Sequence, residues 1–198
     1  NIYTVHRGVA SVEVYSPTGT LRQTMGPVGL EPRGIAVSAN GCIYALDASG
    51  SIQVFSAQGG LLHTMRPTDQ PRGITLDGQG NLYLAGHATG IKELDRSGHA
   101  HRVLGVPGDS VAVDKDGNIC TLLRDDGRAG PTITVFDAQG SKQRSFGRGS
   151  GDGSSGKGVL ASDASSIAVD SKGNIAVVEP HQQRVQVFDP QGALVRVL

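Results

Sequence analysis

Five residues carry side chains that could ligate a metal ion or move a proton. His6, Asp47 and Glu179 each end a short apolar run, and His87 and His181 stand just beyond two others. His, Asp and Glu drawn together from separate segments form divalent-metal sites and supply the acids and bases of metal-dependent lyases and hydrolases. Three further matches fail on context. Gly151-x4-Gly156-Lys157 has the spacing of a phosphate-binding loop, but Gly158 stands where a Ser or Thr must hold magnesium, and no helical periodicity follows. Asp114 to Asn118 opens like a calcium loop without its bidentate Glu, and Gly147 to Gly151 reads Gly-x-Ser-x-Gly without a strand-to-helix setting. The expectation is a turn for the first of these and a linker for the second. Cys42 and Cys120 fall in predicted strands of different units and read as small buried hydrophobes. No catalytic residue, cofactor, metal or nucleotide is assigned.

The elements that would position the His, Asp and Glu side chains repeat. Nine times a Ser or Asp is followed three residues later by a Gly between short apolar runs: Ser16–Gly19, Ser38–Gly41, Ser56–Gly59, Asp77–Gly80, Asp95–Gly98, Asp114–Gly117, Asp137–Gly140, Asp170–Gly173 and Asp189–Gly192. The first residue accepts a hydrogen bond from the backbone two residues on, and the Gly supplies positive φ, so each pair predicts a type I turn closing a hairpin through a bulge. Asp47–Gly50 matches too but is out of step with the nine. Every second pair recurs at steps of 40, 39, 42 and 52 residues. Two hairpins in about 40 residues mean four short strands per unit, the pattern of a β-propeller blade.

In register, the innermost strands read Pro32 to Val37, Pro71 to Leu76, Ser110 to Val113 and Ser166 to Val169, each with a small residue (Gly34, Gly73, Ser110, Ser166) before its core. A crowded centre demands that. Second strands are near-continuous apolar runs, as in strands buried on both faces, and third strands alternate as half-buried strands do. Fourth strands are the least apolar, with a polar ladder of Gln23, His63, Arg102, Arg144 and Arg196 that reads as edge protection. The predicted blades span about 1–26, 27–65, 66–104, 105–147 and 160–198 of a single domain, with a Gly/Ser-rich linker at 147–164. The fold class is all-β: four complete four-stranded blades, plus a first blade that begins at its second strand. A fragment of a six-bladed ring is the expectation, and a compact five-unit ring lacking one inner strand is the alternative.

Lys plus Arg and Asp plus Glu balance at 18 each, so no net field draws in nucleic acid or an anionic membrane. No apolar run approaches the 18 residues or so of a membrane span, and the first residues form no leader. The expectation is a cytoplasmic protein with no membrane partner.

The chain resembles the NHL-repeat β-propellers. The lines that carry the resemblance are Pro32 to Val37, Ser166 to Ile175 (Ser-Ile-Ala-Val-Asp-Ser-Lys-Gly-Asn-Ile), and above all Arg184 to Gly192 (Arg-Val-Gln-Val-Phe-Asp-Pro-Gln-Gly). The resemblance covers essentially the whole chain. The Asp that the family places at the end of the second strand stands at Asp47, with Glu179 a near substitute and His6, Gly86 and Leu123 elsewhere. Of the family's Asn-His-Arg only Arg184 is kept, and the resemblance makes it a blade-packing element. It implies a non-enzymatic recognition or scaffold module, as in the C-terminal part of tripartite-motif proteins, where such propellers select substrates for ubiquitin ligases and some bind RNA.

Binding then falls to the face carrying the second-to-third-strand loops and the blade-to-blade loops, which the turns leave free to vary. On that face His6, Arg7, Arg33, Asp47, Arg72, His87, Arg124, Arg128, Glu179 and His181 are the candidate partner-binding residues. A protein or peptide is the expected partner. RNA held by Arg7, Arg33, Arg72 and Arg124 is the alternative, although the aromatics that would stack on bases nearly all fall within strands. A metal-dependent lyase or lactonase-like enzyme using His6, Asp47, Glu179, His87 and His181 is the third reading.

Overall fold

Turn chemistry dictates where the chain reverses. In the computed structural model, which describes residues 1–6, 10–27, 31–67, 70–86, 89–124, 130–147 and 158–198, the Gly amide of all nine pairs donates to the main-chain carbonyl of its Ser or Asp at 2.9 to 3.1 Å. Those nine glycines have φ between +81° and +92°, where a Cβ would be strained. The side chains act as their types require: Asp114 Oδ1 accepts from the amides of Asp116 and Asn118 at 2.8 and 2.9 Å. Asp47–Gly50, out of step in the sequence, forms the same kind of turn, with Gly50 donating to the Asp47 carbonyl at 3.1 Å. It joins a second to a third strand, at the opposite face of its blade.

The turns produce five antiparallel sheets. The first has three strands, β1 (Ile2–His6), β2 (Ser11–Tyr15) and β3 (Leu21–Met25). Each of the others has four, in chain order from axis to rim. They are β4 (Pro32–Val37) to β7 (Leu61–Met65) through β5 (Ile43–Asp47) and β6 (Ile52–Phe55); β8 (Gly73–Leu76) to β11 (Ala100–Leu104) through β9 (Leu82–Gly86) and β10 (Gly90–Leu94); β12 (Ser110–Val113) to β15 (Lys142–Phe146) through β13 (Ile119–Leu123) and β14 (Thr132–Phe136); and β16 (Ser166–Val169) to β19 (Leu194–Val197) through β17 (Ile175–Glu179) and β18 (Arg184–Phe188). The fold is a β-propeller of five blades, and among the described residues the first has no inner strand, as the register predicts. Among the described residues no helix is long and apolar enough to cross a membrane.

Blade packing is serial. Four apolar cores lie between successive blades, one for each neighbouring pair from first and second to fourth and fifth. Inner strands β4, β8, β12 and β16 lie side by side, with β1 against β4. Gly34 and Gly73 make this approach feasible: a Cβ on Gly73 would stand 3.0 Å from the Asp109 carbonyl oxygen and the Ser110 Cα, and one on Gly34 2.9 Å from Ile74.

At the rim, the Gly of each third-to-fourth-strand turn receives the end of the preceding blade's fourth strand. A Cβ on Gly98 would lie 2.6 Å from Met65 Sδ, one on Gly140 2.5 Å from Leu104 Cδ2, one on Gly192 2.7 Å from Phe146 Cδ1, and one on Gly59 3.1 Å from Met25 Cγ. Two members of the polar ladder tie blades together as well. Gln23 donates to the Gln58 carbonyl at 2.8 Å, and Arg102, paired with Glu93, donates to the Ala138 carbonyl at 2.6 Å.

The series stops at its ends. Gly19, in the first blade, has nothing within 4 Å of where a Cβ would stand, and Leu198, the counterpart of Met25, Met65 and Leu104, is 65% exposed. Val178 in β17 is 39% exposed, whereas its equivalents Leu46, Ala85 and Leu122 are buried. Among the described residues no apolar core joins the fifth blade to the first.

Two outcomes test the turns. Gly19→Ala and Gly140→Ala both place a side chain at positive φ, costing about 1–2 kcal/mol, and Gly140→Ala adds overpacking against Leu104 of about 1–3 kcal/mol. Urea unfolding is expected to give Gly140→Ala the lower midpoint, and equal midpoints would remove the packing role. At Asp170, hydrogen bonds from the Asn174 side chain and amide and from the Lys172 amide hold the carboxyl below the usual range. A carboxylate whose folded pKa is depressed stabilises above its unfolded pKa, near ~3.9, and loses that contribution as pH falls through the folded value. Stability of the parent protein should therefore fall more steeply over that acid range than stability of Asp170→Asn, as read by chemical unfolding at stepped pH.

Candidate functional site

The residue just before each inner strand's small residue forms a column in the repeat: Arg33, Arg72, Asp109 and Ser165. The blade geometry turns that column into a mouth. Inner strands of the second to fifth blades, with Val5 of β1, enclose an axial cavity of about 660 Å³, and the column residues lie at its loop-face end, joined by Arg124 just past β13. Ile35, Ile74, Val111 and Ile167 are among the residues lining the wall below.

Among the described residues lining the mouth, arginines outnumber carboxylates. Arg33, Arg72 and Arg124 are all exposed, and Asp109 is the one carboxylate among the described lining residues. Asp109 is buried and committed: its Oδ1 accepts from Arg72 Nη1 at 2.7 Å, and its Oδ2 accepts from the Arg124 amide at 3.0 Å. Arg124 Nη2 in turn donates to the Ser165 carbonyl at 3.0 Å, bridging the fourth and fifth blades. Arg72 remains 51% exposed, and Arg33 has no ion-pair partner among the described residues. Among the described lining residues, three guanidiniums against one buried carboxylate make a cationic rim above an apolar well, suited to an anionic group attached to an apolar one.

The other candidates are placed differently. Asp47 Oδ1 accepts from the amides of Ser49 and Ser51 at 2.9 and 3.0 Å, which commits it to its own turn. Glu179 is fully buried. It accepts from Arg184 Nε at 2.6 Å, from Gln186 Nε2 at 2.9 Å and from the Ala161 amide, so it fastens the chain before β16 to the fifth blade and presents nothing to a partner. His181 is exposed, and its amide donates to Asp163. His6 ends β1, and Arg7, His87 and Arg128 lie outside the described residues, as does most of the Gly/Ser-rich linker. Among the described residues no three His, Cys, Asp or Glu side chains gather as a metal site. Cys120 is buried, which pushes its thiol up to about 12, and neither cysteine forms a disulfide.

The structure thus brings together Arg33, Arg72 and Arg124, and adds Asp109, which is not among the candidate partner-binding residues of the sequence. Its signal lay in the register, in the column it shares with Arg33 and Arg72. On the opposite face a hollow of about 300 Å³ between the Asp77 and Asp114 turns is lined by polar groups already bonded to one another, among them Glu93 with Arg102.

Comparison with known proteins agrees with the architecture. The family described as Beta-propeller repeat, SBBP, matches residues 65–91, the stretch from the end of β7 into β10. No curated protein matches the chain. Among solved structures 735 chains match. One, a protein of unknown function from Bacteroides caccae, is 14% identical, with a TM-score of 0.68 over 99% of this chain and 71% of its own. A likeness at that identity is one of fold.

Glu179→Ala should leave Arg184 poorly solvated and without its charge partner, a change that costs about 3–5 kcal/mol for a buried pair. Chemical unfolding is expected to show a loss of that order. A loss below about 1 kcal/mol, the range of exposed pairs, would contradict the structural role.

Proposed function

We propose that this propeller is a non-enzymatic recognition module of the NHL type that binds a protein or peptide through its loop face, at the mouth of the axial cavity. The observation that carries the reading is the convergence of Arg33, Arg72 and Arg124 on one apolar well, with Asp109 buried beneath them. A peptide segment carrying an acidic residue next to an apolar one fits both parts: the carboxylate meets the guanidiniums, and the apolar side chain leaves water. The acidic groups proposed from sequence as metal ligands support this reading over catalysis, since Asp47 and Glu179 are committed to a turn and to an ion pair. On the NHL-type reading, such a module would select substrates for a ubiquitin ligase whose catalytic parts are other domains.

Fluorescence anisotropy with labelled peptides tests it. Acidic-apolar peptides are expected to bind more tightly than lysine-substituted versions, and Arg33→Glu should weaken them by about tenfold or more, or ~1.4 kcal/mol, without moving the unfolding midpoint. Indifference to peptide charge and to Arg33→Glu would contradict the proposal. A single-stranded RNA that binds at low salt and is lost in Arg33→Glu would put RNA in the peptide's place.

A further inference from the structure

One row of side chains crosses each blade on the face turned to the next blade, and strand pairing fixes its members. In the third blade the row is Tyr83, Glu93 and Arg102, and in the fourth it is Cys120, Val135 and Arg144. The hollows lined by these rows correspond position for position. The one between the third and fourth blades is bounded by Ala138 of the outer turn beyond, and the one between the fourth and fifth, of about 220 Å³, by Pro190 at the matching place in its turn.

The third-blade row is complete in itself. Arg102 donates through Nε and Nη2 to Glu93 Oε2 at 3.0 and 2.7 Å and through Nη1 to the Ala138 carbonyl at 2.6 Å, and Tyr83 is buried next to Glu93 in the row. In the fourth blade Val135 stands in place of Glu93 and Cys120 in place of Tyr83, so the equivalent guanidinium has neither neighbour. Arg144 has no hydrogen-bond or ion-pair partner among the described residues, and its Nε is buried. A buried donor on a charged group is costly until an acceptor reaches it. The nearest carboxylates are committed: Asp114 accepts from its own turn, including the Asn118 side chain at 2.8 Å, and both oxygens of Asp116 meet Lys115 Nζ at 2.7 Å. Across the gap Lys172 holds the turn position that Asp116 holds in the preceding hollow, so an ammonium replaces a carboxylate there.

We propose that the hollow between the fourth and fifth blades binds a small aromatic carboxylate of about the size of benzoate. Its carboxylate takes on Arg144 the place that Glu93 takes on Arg102, and its ring lies over Cys120 in the space that the Tyr83 side chain fills one blade earlier. The preceding blade thus states the chemistry of the occupant, a planar ring beside a carboxylate. A guanidinium suits the carboxylate, and Cys120, Val135, Ile175 and Pro190 give the ring an apolar lining. The site lies on the face of the outer turns and does not depend on the arginine mouth.

Titration calorimetry of the whole chain at neutral pH with benzoate, benzamide and acetate tests it, with amide chemical shifts to locate the contact. Benzoate is expected to bind saturably and to shift the amides of Cys120, Val135 and Arg144. Benzamide keeps the shape without the charge and acetate the charge without the ring, and each should bind about tenfold more weakly or worse. Val135→Glu gives the fourth blade the carboxylate that the third already carries, so it is expected to fold, pair with Arg144 and abolish benzoate binding. Benzamide binding as tightly as benzoate, shifts confined to other parts of the chain, no saturable binding, or benzoate still held by folded Val135→Glu would overturn the proposal. Inorganic phosphate binding there as tightly as benzoate would overturn it too, by making the hollow a site for an anion with no apolar part. The benzamide and acetate comparisons use the parent chain, so they decide the matter even where a variant does not fold. Arg33→Glu separates this inference from the preceding one, because it is expected to leave benzoate binding unchanged.

Discussion

The structure depends on one close approach repeated at the rim: the last apolar side chain of each blade's fourth strand lies against the glycine of the next blade's outer turn. Met25 on Gly59, Met65 on Gly98, Leu104 on Gly140 and Phe146 on Gly192 are four instances of a single contact. The glycine serves two needs at one position. Its positive φ reverses the chain, and its missing Cβ lets the neighbour close down until the apolar faces between blades shed water. Phe146 carries the contact inward, tilted against Phe188 with ring centroids 5.3 Å apart.

This spacing at the rim requires an equally close spacing at the axis, where Gly34 and Gly73 permit it. The consequence for function is positional. With both ends of every blade fixed, the residue preceding each inner strand is carried to the same height around the axis, and side chains about 40 residues apart in sequence become neighbours. Arg72 reaches Asp109 this way, and Arg124 reaches the Ser165 carbonyl. The Asp side chains of the turns at one face are spent on hydrogen bonds to their own turn amides, whereas Arg33 and Arg72 at the other stay exposed.

Much of the fold was legible because the repeat constrains it. The nine Ser/Asp–Gly steps mark their turns correctly, and the incomplete first blade follows from the register alone. Asp47–Gly50 was harder to place, because a turn joining second to third strand uses the same residues as the outer turns and differs only in the face it occupies. The site was less legible. Asp47 and Glu179 have types that suit ligands, but type does not reveal burial: Glu179 is enclosed by Arg184, Gln186 and the Ala161 amide, partners up to 18 residues away. Asp109 shows the converse, since its role follows from its column in the repeat and not from its local sequence. The polar ladder on the fourth strands reads as edge protection one blade at a time, yet Gln23 and Arg102 reach across to the next blade's turn.

A serial stack secured contact by contact has ends: Ile2 of the first blade and Val178 and Leu198 of the fifth are exposed where their equivalents in other blades are buried. Native-state hydrogen exchange resolved by strand tests this account most directly. Successive packing predicts that the amides of β5, β9 and β13, enclosed by blades on both sides, exchange slowest, and that β1 and β19 open first at lower free energy. Uniform protection from β1 to β19, with β1 and β19 exchanging only through global unfolding, would contradict it and show the first and fifth blades packed together.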